Sequence, residues 1–145
     1  MKAPAMRYLL CTALCLAVLP AHAEDARTPL TLSATEAAAV NEEMRGFLEG
    51  VQEISRGLAD NDMKAVAKAA RALGMAGANH VPMSLRKKFP MAFKQMGHAT
   101  HMGFDNLAID AEGLGDTGHS LQQLSETLQN CNACHASFRL VAKGK

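Results

Sequence analysis

The 145-residue sequence contains no Trp, one Tyr and five Phe, so aromatic residues make up only 4% of it. A core in a chain of this size must then be built from Ala, Leu, Val and Met, or be completed by an apolar body that is not an amino acid. Net charge is nearly absent as well: fifteen Lys and Arg face fourteen Asp and Glu, a formal +1. A basic footprint is therefore missing, and nucleic acid is not an expected partner. No uninterrupted apolar run approaches the roughly 20 residues that a membrane-spanning helix needs. With 48% hydrophobic and 20% charged residues, the balance is that of one globular domain.

The four Cys divide by position. Residues 1–23 begin with Lys2 and Arg7, continue with an apolar run from Tyr8 to Leu19 and close on Ala21-His22-Ala23, a small-x-small pattern. These features predict a secretory signal peptide cleaved after Ala23. The run of about twelve residues is too short to serve as an anchor. Leu10 and Leu14 precede Cys11 and Cys15, where lipoprotein processing wants a small residue, so neither Cys is expected to be lipidated. Loss of Lys2 and Arg7 with the leader leaves thirteen basic against fourteen acidic side chains, and Cys131 and Cys134 as the two remaining thiols. Residues 24–145 are read as a single domain with no membrane span after processing.

Periodicity predicts four helices and no strands. Ser33-Ala34-Thr35-Glu36 matches a capping box, and Val40, Met44, Phe47, Val51, Ile54 and Leu58 follow at spacings of three and four. Gly46, Gly50 and Gly57 weaken this helix's intrinsic propensity. A second, Ala-rich helix follows Asp60-Asn61-Asp62, with Met63, Val66, Ala70 and Leu73 on one face. The basic connector 82–88 has room for one turn, and Pro90 suits the start of a third helix with Phe93, Met96, Thr100, Phe104 and Leu107 inside. The last helix is expected from about Thr117 to Val141, carrying Leu121, Leu124, Leu128, Cys131, His135 and Phe138 on a buried seam. Short connections between four such helices predict an all-α, antiparallel four-helix bundle.

Cys131-Asn132-Ala133-Cys134-His135 is the pattern C-x-x-C-H, in which two thiols form thioethers with the haem vinyl groups while the adjacent imidazole binds iron. Residues three and four apart share a helix face, so both Cys can grip one edge of a macrocycle while His135 reaches the metal. A thioredoxin-like pair belongs at a helix N-terminus after a strand, and no strand is expected here. Structural zinc needs two further ligands, yet His80, His98, His101 and His119 are not paired at ligand spacing. A disulfide between Cys131 and Cys134 is strained inside a regular helix. One covalently attached haem c is the expected cofactor.

The run from Cys131 to Arg139, C-N-A-C-H-A-S-F-R, resembles the C-x-x-C-H-x-x-(aromatic)-R signature of class II c-type cytochromes, the cytochrome c′ and c-556 group. The helix order extends the resemblance from Ser33 to Leu140. It implies a four-helix bundle with haem near the C-terminal helix, His135 as proximal iron ligand, and a distal position on the first helix. A Met at that position makes members of the group low-spin electron carriers, and an apolar Leu or Phe leaves the iron five-coordinate and open to NO or CO. Met44 is the candidate distal ligand, its alternative being core filler, because seven Met remain outside the leader. Bis-His ligation through His80, His98, His101 or His119 is chemically sensible too, although His80 and His119 lie beside connectors and His98 off the inner face.

The resemblance further places Phe138 at the proximal edge, Arg139 beside the proximal imidazole and Arg45 by a haem propionate, where a solvent-facing Arg45 is the alternative. Phe104 and Phe47 are expected as pocket walls or as bundle core. The function this implies is that of a periplasmic one-electron carrier meeting redox partner proteins; no acid–base pair or nucleophile points to an enzyme. Members of the group often pair through their first two helices, and the Ala- and Gly-rich second helix here would permit such a homodimer, its alternative being internal packing in the bundle. Because haem would fill the space that aromatics leave, a loosely folded apoprotein is expected.

Overall fold

The computed structural model describes residues 24–143, the side chains of Asn79 and His80 excepted. The expected leader at 1–23 lies outside the described residues, as does the placing of the His80 side chain. In chain order the elements are strand β1 (Thr28–Leu32), helices α1 (Ala34–Ala59) and α2 (Met63–Leu73), a 3-10 turn (Gly77–His80), a one-turn helix α3 (Met83–Arg86), helices α4 (Met91–Gly113) and α5 (Thr117–Ser137), and strand β2 (Phe138–Ala142). No described helix is long and apolar enough to cross a membrane.

The helix starts follow local chemistry. The Glu36 N–H donates to Ser33 Oγ at 3.3 Å and the Ser33 N–H donates to Glu36 Oε2 at 3.0 Å, closing the capping box of α1. Asp62 and Asp116 cap α2 and α5 in the same manner, accepting from Ala65 and His119. Glu36 also receives Lys88, and with the Ser33 backbone bond this holds its carboxyl down to about 2. Arg86 Nε donates to the Val81 carbonyl at 2.8 Å. Two of the three basic side chains of the connector are thus engaged within the fold.

Packing runs α1 on α2, α2 on α4 and α4 on α5, whereas α1 and α5 barely touch. The main core joins Ile54, Leu58, Val66, Leu73, Phe104, Leu107 and Leu124, all buried. A smaller core of Leu32, Val40, Val81, Leu85 and Phe89 sits at the other end of α1, with Met44 and Phe93 against it. Val40, Ile54 and Leu58 of α1, Val66, Ala70 and Leu73 of α2, and Thr100, Phe104 and Leu107 of α4 are buried on the expected seams, while Gly57, Ala67, His101, Ala108 and Ala111 are buried beside them.

The expectation of no strands is overturned. β1 and β2 pair in parallel, with Thr28 opposite Phe138 and Leu32 opposite Ala142. The last helix accordingly stops at Ser137, not Val141. The physical reason is long-range: Leu30 and Leu32 bury alternate side chains of β1, and its backbone offers a ladder to Phe138-Arg139-Leu140-Val141, a run rich enough in aromatic and branched side chains to take it. A second difference concerns the α5 seam. Leu124 is buried, but Leu121 and His135 are exposed and both Cys only half-buried, because α1 leaves this side of α5 uncovered.

Glycines that weaken α1 as an isolated helix permit its contact with α2. A Cβ on Gly57 would lie 2.8 Å from Val66 Cγ2 and 3.0 Å from the Val66 backbone nitrogen, whereas one on Gly46 would meet nothing within 4 Å. Gly57→Ala should therefore cost about 1–3 kcal/mol in overpacking, partly offset by ~1 kcal/mol of helix propensity. Gly46→Ala should instead stabilise by about 0.5–1 kcal/mol. Urea midpoints moving in opposite directions are the expected result; parallel shifts would show that α1 and α2 do not pack this closely.

Candidate functional site

Where α1 and α5 part, a cleft of ≈ 330 Å³ opens between the two helices and the strand pair. Its apolar wall comes from Leu30 and Leu140 of the sheet, Val40 and Met44 of α1, Phe93 of α4 and Phe138 at the start of β2. Cys134 and His135 enter from the last turn of α5, and Arg27, Asn41 and Arg139 supply the polar atoms. Phe93 and Phe138 meet edge to face, centroids 5.4 Å apart.

Of the residues expected from sequence, the structure brings Met44, Cys134, His135, Phe138 and Arg139 to this one cleft. Phe138 arrives there through β2, not as a further residue of the helix. Cys131 lies one turn back on α5, half-buried, its thiol facing the Thr127 carbonyl at 3.9 Å. Both thiols are free, and burial pushes both above the ordinary thiol range, with Cys131 adding to the effect at Cys134. Redox-active C-x-x-C pairs show the opposite shift, and the strand here follows the motif where a thioredoxin-like site has one before it.

Four positions named from the sequence lie elsewhere. Arg45 is exposed and pairs with Glu42, three residues before it on α1. Phe104 is fully buried in the main core, stacked on Phe47 at 5.8 Å, which leaves it away from the cleft wall. His98 is exposed, and His119 pairs with Asp110 at 3.0 Å.

His101 occupies a separate place. It is only 8% exposed and borders a second, larger cavity of ≈ 590 Å³ between α1 and α2, shared with Glu43, Phe47 and Leu73. Its Nδ1 donates to the Leu73 carbonyl at 2.7 Å, and Nε2 stands 3.7 Å from Glu43, an ion-pair contact. Burial opposes the imidazolium, but Glu43 and the Leu73 carbonyl outweigh it and raise the pKa above the ordinary histidine value. A raised folded value stabilises the fold below the unfolded pKa, and that contribution disappears as pH climbs through the folded one. The urea midpoint should accordingly fall as pH rises above 6.5. In His101→Gln this part of the slope should be gone; an unchanged slope would mean that His101 does not carry it.

Sequence reasoning missed Arg27, Leu30 and Phe93 as cleft residues. Leu30 and Arg27 precede the first helix and reach the cleft only because β1 pairs with a strand some 110 residues later, and no local pattern signals that. Among the described residues no three His, Cys, Asp or Glu side chains converge. Comparison with known proteins finds no matching family model, no matching curated protein and no matching solved structure.

Proposed function

We propose that the chain is a periplasmic monohaem c-type cytochrome of the class II kind, carrying one electron between redox partner proteins. The observation that carries this reading is that Cys134 and His135 of a C-x-x-C-H motif at the end of α5 line one cleft with Met44 of α1, Cys131 lying one turn back. Neutral, half-buried thiols with no disulfide between them are available for thioether bonds, and the cleft wall that Cys134 shares with Met44 is mostly apolar, as a macrocycle requires.

In this proposal Cys131 and Cys134 would anchor the group, and His135 and Met44 would hold its iron. When bound, haem c supplies the Fe(III)/Fe(II) couple. Phe93, Phe138 and Leu30 exclude water from the cleft, and the Met44 thioether, a soft donor, favours the reduced metal and raises the potential. Facing pairs support the antiparallel four-helix arrangement: Gly50 meets Leu73 while Gly57 meets Val66, and Gly103 meets Thr127 while Asp110 meets His119. In both pairs of helices the residue numbers run in opposite senses.

Export through residues 1–23 belongs to the same proposal, since covalent haem attachment and the leader pattern point to one compartment. Optical spectra of the oxidised protein test the function, a Met-sulfur charge-transfer band being the expected result. A high-spin spectrum with rapid CO uptake would support the five-coordinate gas-binding alternative instead.

A further inference from the structure

The cleft rim carries charge that the axial ligands and thioethers leave unused. Asp25 accepts from Arg27 Nε at 2.9 Å and Nη2 at 2.7 Å, which draws its carboxyl down to about 2. Arg139 Nε is buried and reaches the same carboxylate only at 3.6 Å, beyond hydrogen-bond distance, so it has no hydrogen-bond partner. Two guanidinium groups thus share one carboxylate. Besides Arg27 and Arg139, the cleft-lining groups that can titrate are Cys134 and His135. The rim keeps a net positive charge and an unpaired buried donor, the signature of a receptor for an anionic oxygen group. Arg27 is also tied to the motif helix, its Nη1 donating to the His135 carbonyl at 3.4 Å.

We propose that Arg27, carried into the cleft by the segment before β1, binds a propionate carboxylate of the haem, the role the family resemblance assigns to Arg45. The proposal rests on the haem reading above. It makes the β1–β2 pair part of the binding site: the ladder from Thr28–Phe138 to Leu32–Ala142 holds Arg27 beside Arg139. Arg27 and Arg45 are both exposed and each is paired with a carboxylate, but Arg27 lines the cleft and Arg45 does not.

The test uses the full holoprotein with four substitutions, reading covalent haem content, the propionate bending bands in resonance Raman spectra and the midpoint potential. Arg27→Gln should shift the propionate bands and lower the potential, because a cation beside the group favours the reduced state. Arg27→Lys should restore much of the potential without the bidentate band position. Asp25→Asn should raise the potential, since it removes the charge that Arg27 and Arg139 share. Arg45→Gln should leave both readouts at wild-type values. Bands and potential unchanged in Arg27→Gln, or shifted in Arg45→Gln, would overturn the proposal while leaving the haem reading intact. If Arg27→Gln fails to retain haem, retention by Arg27→Lys supports the proposal and loss in both overturns it, the site then needing Arg27 for folding. Wild-type protein without covalent haem removes the reading and the proposal together.

Discussion

On the proposed haem attachment, protein in which Cys131 and Cys134 are both replaced by alanine should retain no haem after denaturation, and its folded state should come apart at one end only. The first part follows from the thioether assignment. The second follows from the two separate cores. Ile54, Val66, Phe104 and Leu107 close the main core with side chains alone, at or near zero exposure, so α1, α2, α4 and the first half of α5 should keep their helical signal.

The smaller core around Leu32, Val40 and Phe89 borders the cleft through Val40, Met44 and Phe93, so on the haem reading it should depend on the cofactor. A macrocycle burying about twice the ~200 Å² of a large aromatic side chain contributes roughly 10 kcal/mol at ~25 cal/mol per Å², comparable to the ~5–15 kcal/mol net stability of a whole domain. Amide exchange should therefore accelerate by orders of magnitude in β1, β2 and the last turns of α5 while the main core stays protected. This sharpens the expectation of a loosely folded apoprotein, drawn from aromatic poverty, to the cleft end. Uniform wild-type protection in the double variant would show that the cleft is complete without a cofactor.

If the proposed ligation holds, Met44→Ala should convert a low-spin protein to a high-spin one, lower its potential and open it to CO. The competing account is that Met44 is packing, and it does sit half-buried against the smaller core. Met44→Leu separates the two, because it conserves volume at a cost below about 1.5 kcal/mol yet removes the sulfur. If sulfur ligates the iron, Leu and Ala variants lose the charge-transfer band alike and bind CO alike, although only the Ala variant is destabilised, by about 1–2 kcal/mol for a half-buried side chain. If Met44 is filler, the Leu variant keeps the wild-type spectrum. The Leu variant is the decisive one.

What could be read from the sequence was local. Ser33 and Glu36 lie three residues apart and announce the start of α1, and the seam of Val40, Ile54 and Leu58 needs only a 3.6-residue period. The C-x-x-C-H motif is likewise contained in five residues. The strand pair is different. Phe138 and Val141 continue the three-four spacing of α5, so that run reads as helix until β1 supplies a partner about 110 residues away in sequence. Five-residue strands carry too few alternations to outweigh a helical pattern running into them. Gly57 read as a weakness because its reason, the Val66 side chain, belongs to another helix. Arg27 was invisible for the same cause: its place in the cleft is set by β-pairing, whereas Arg45 was named from resemblance and the fold turns it to solvent.

The most direct measurement of the central claim is the intact mass of the protein purified under denaturing, reducing conditions from a host that exports it and attaches haem c. The proposal predicts residues 24–145 plus the mass of one haem, with tryptic fragments placing the addition on the Cys131–Cys134 peptide. A chain of bare polypeptide mass, with both thiols free to alkylate, would contradict it.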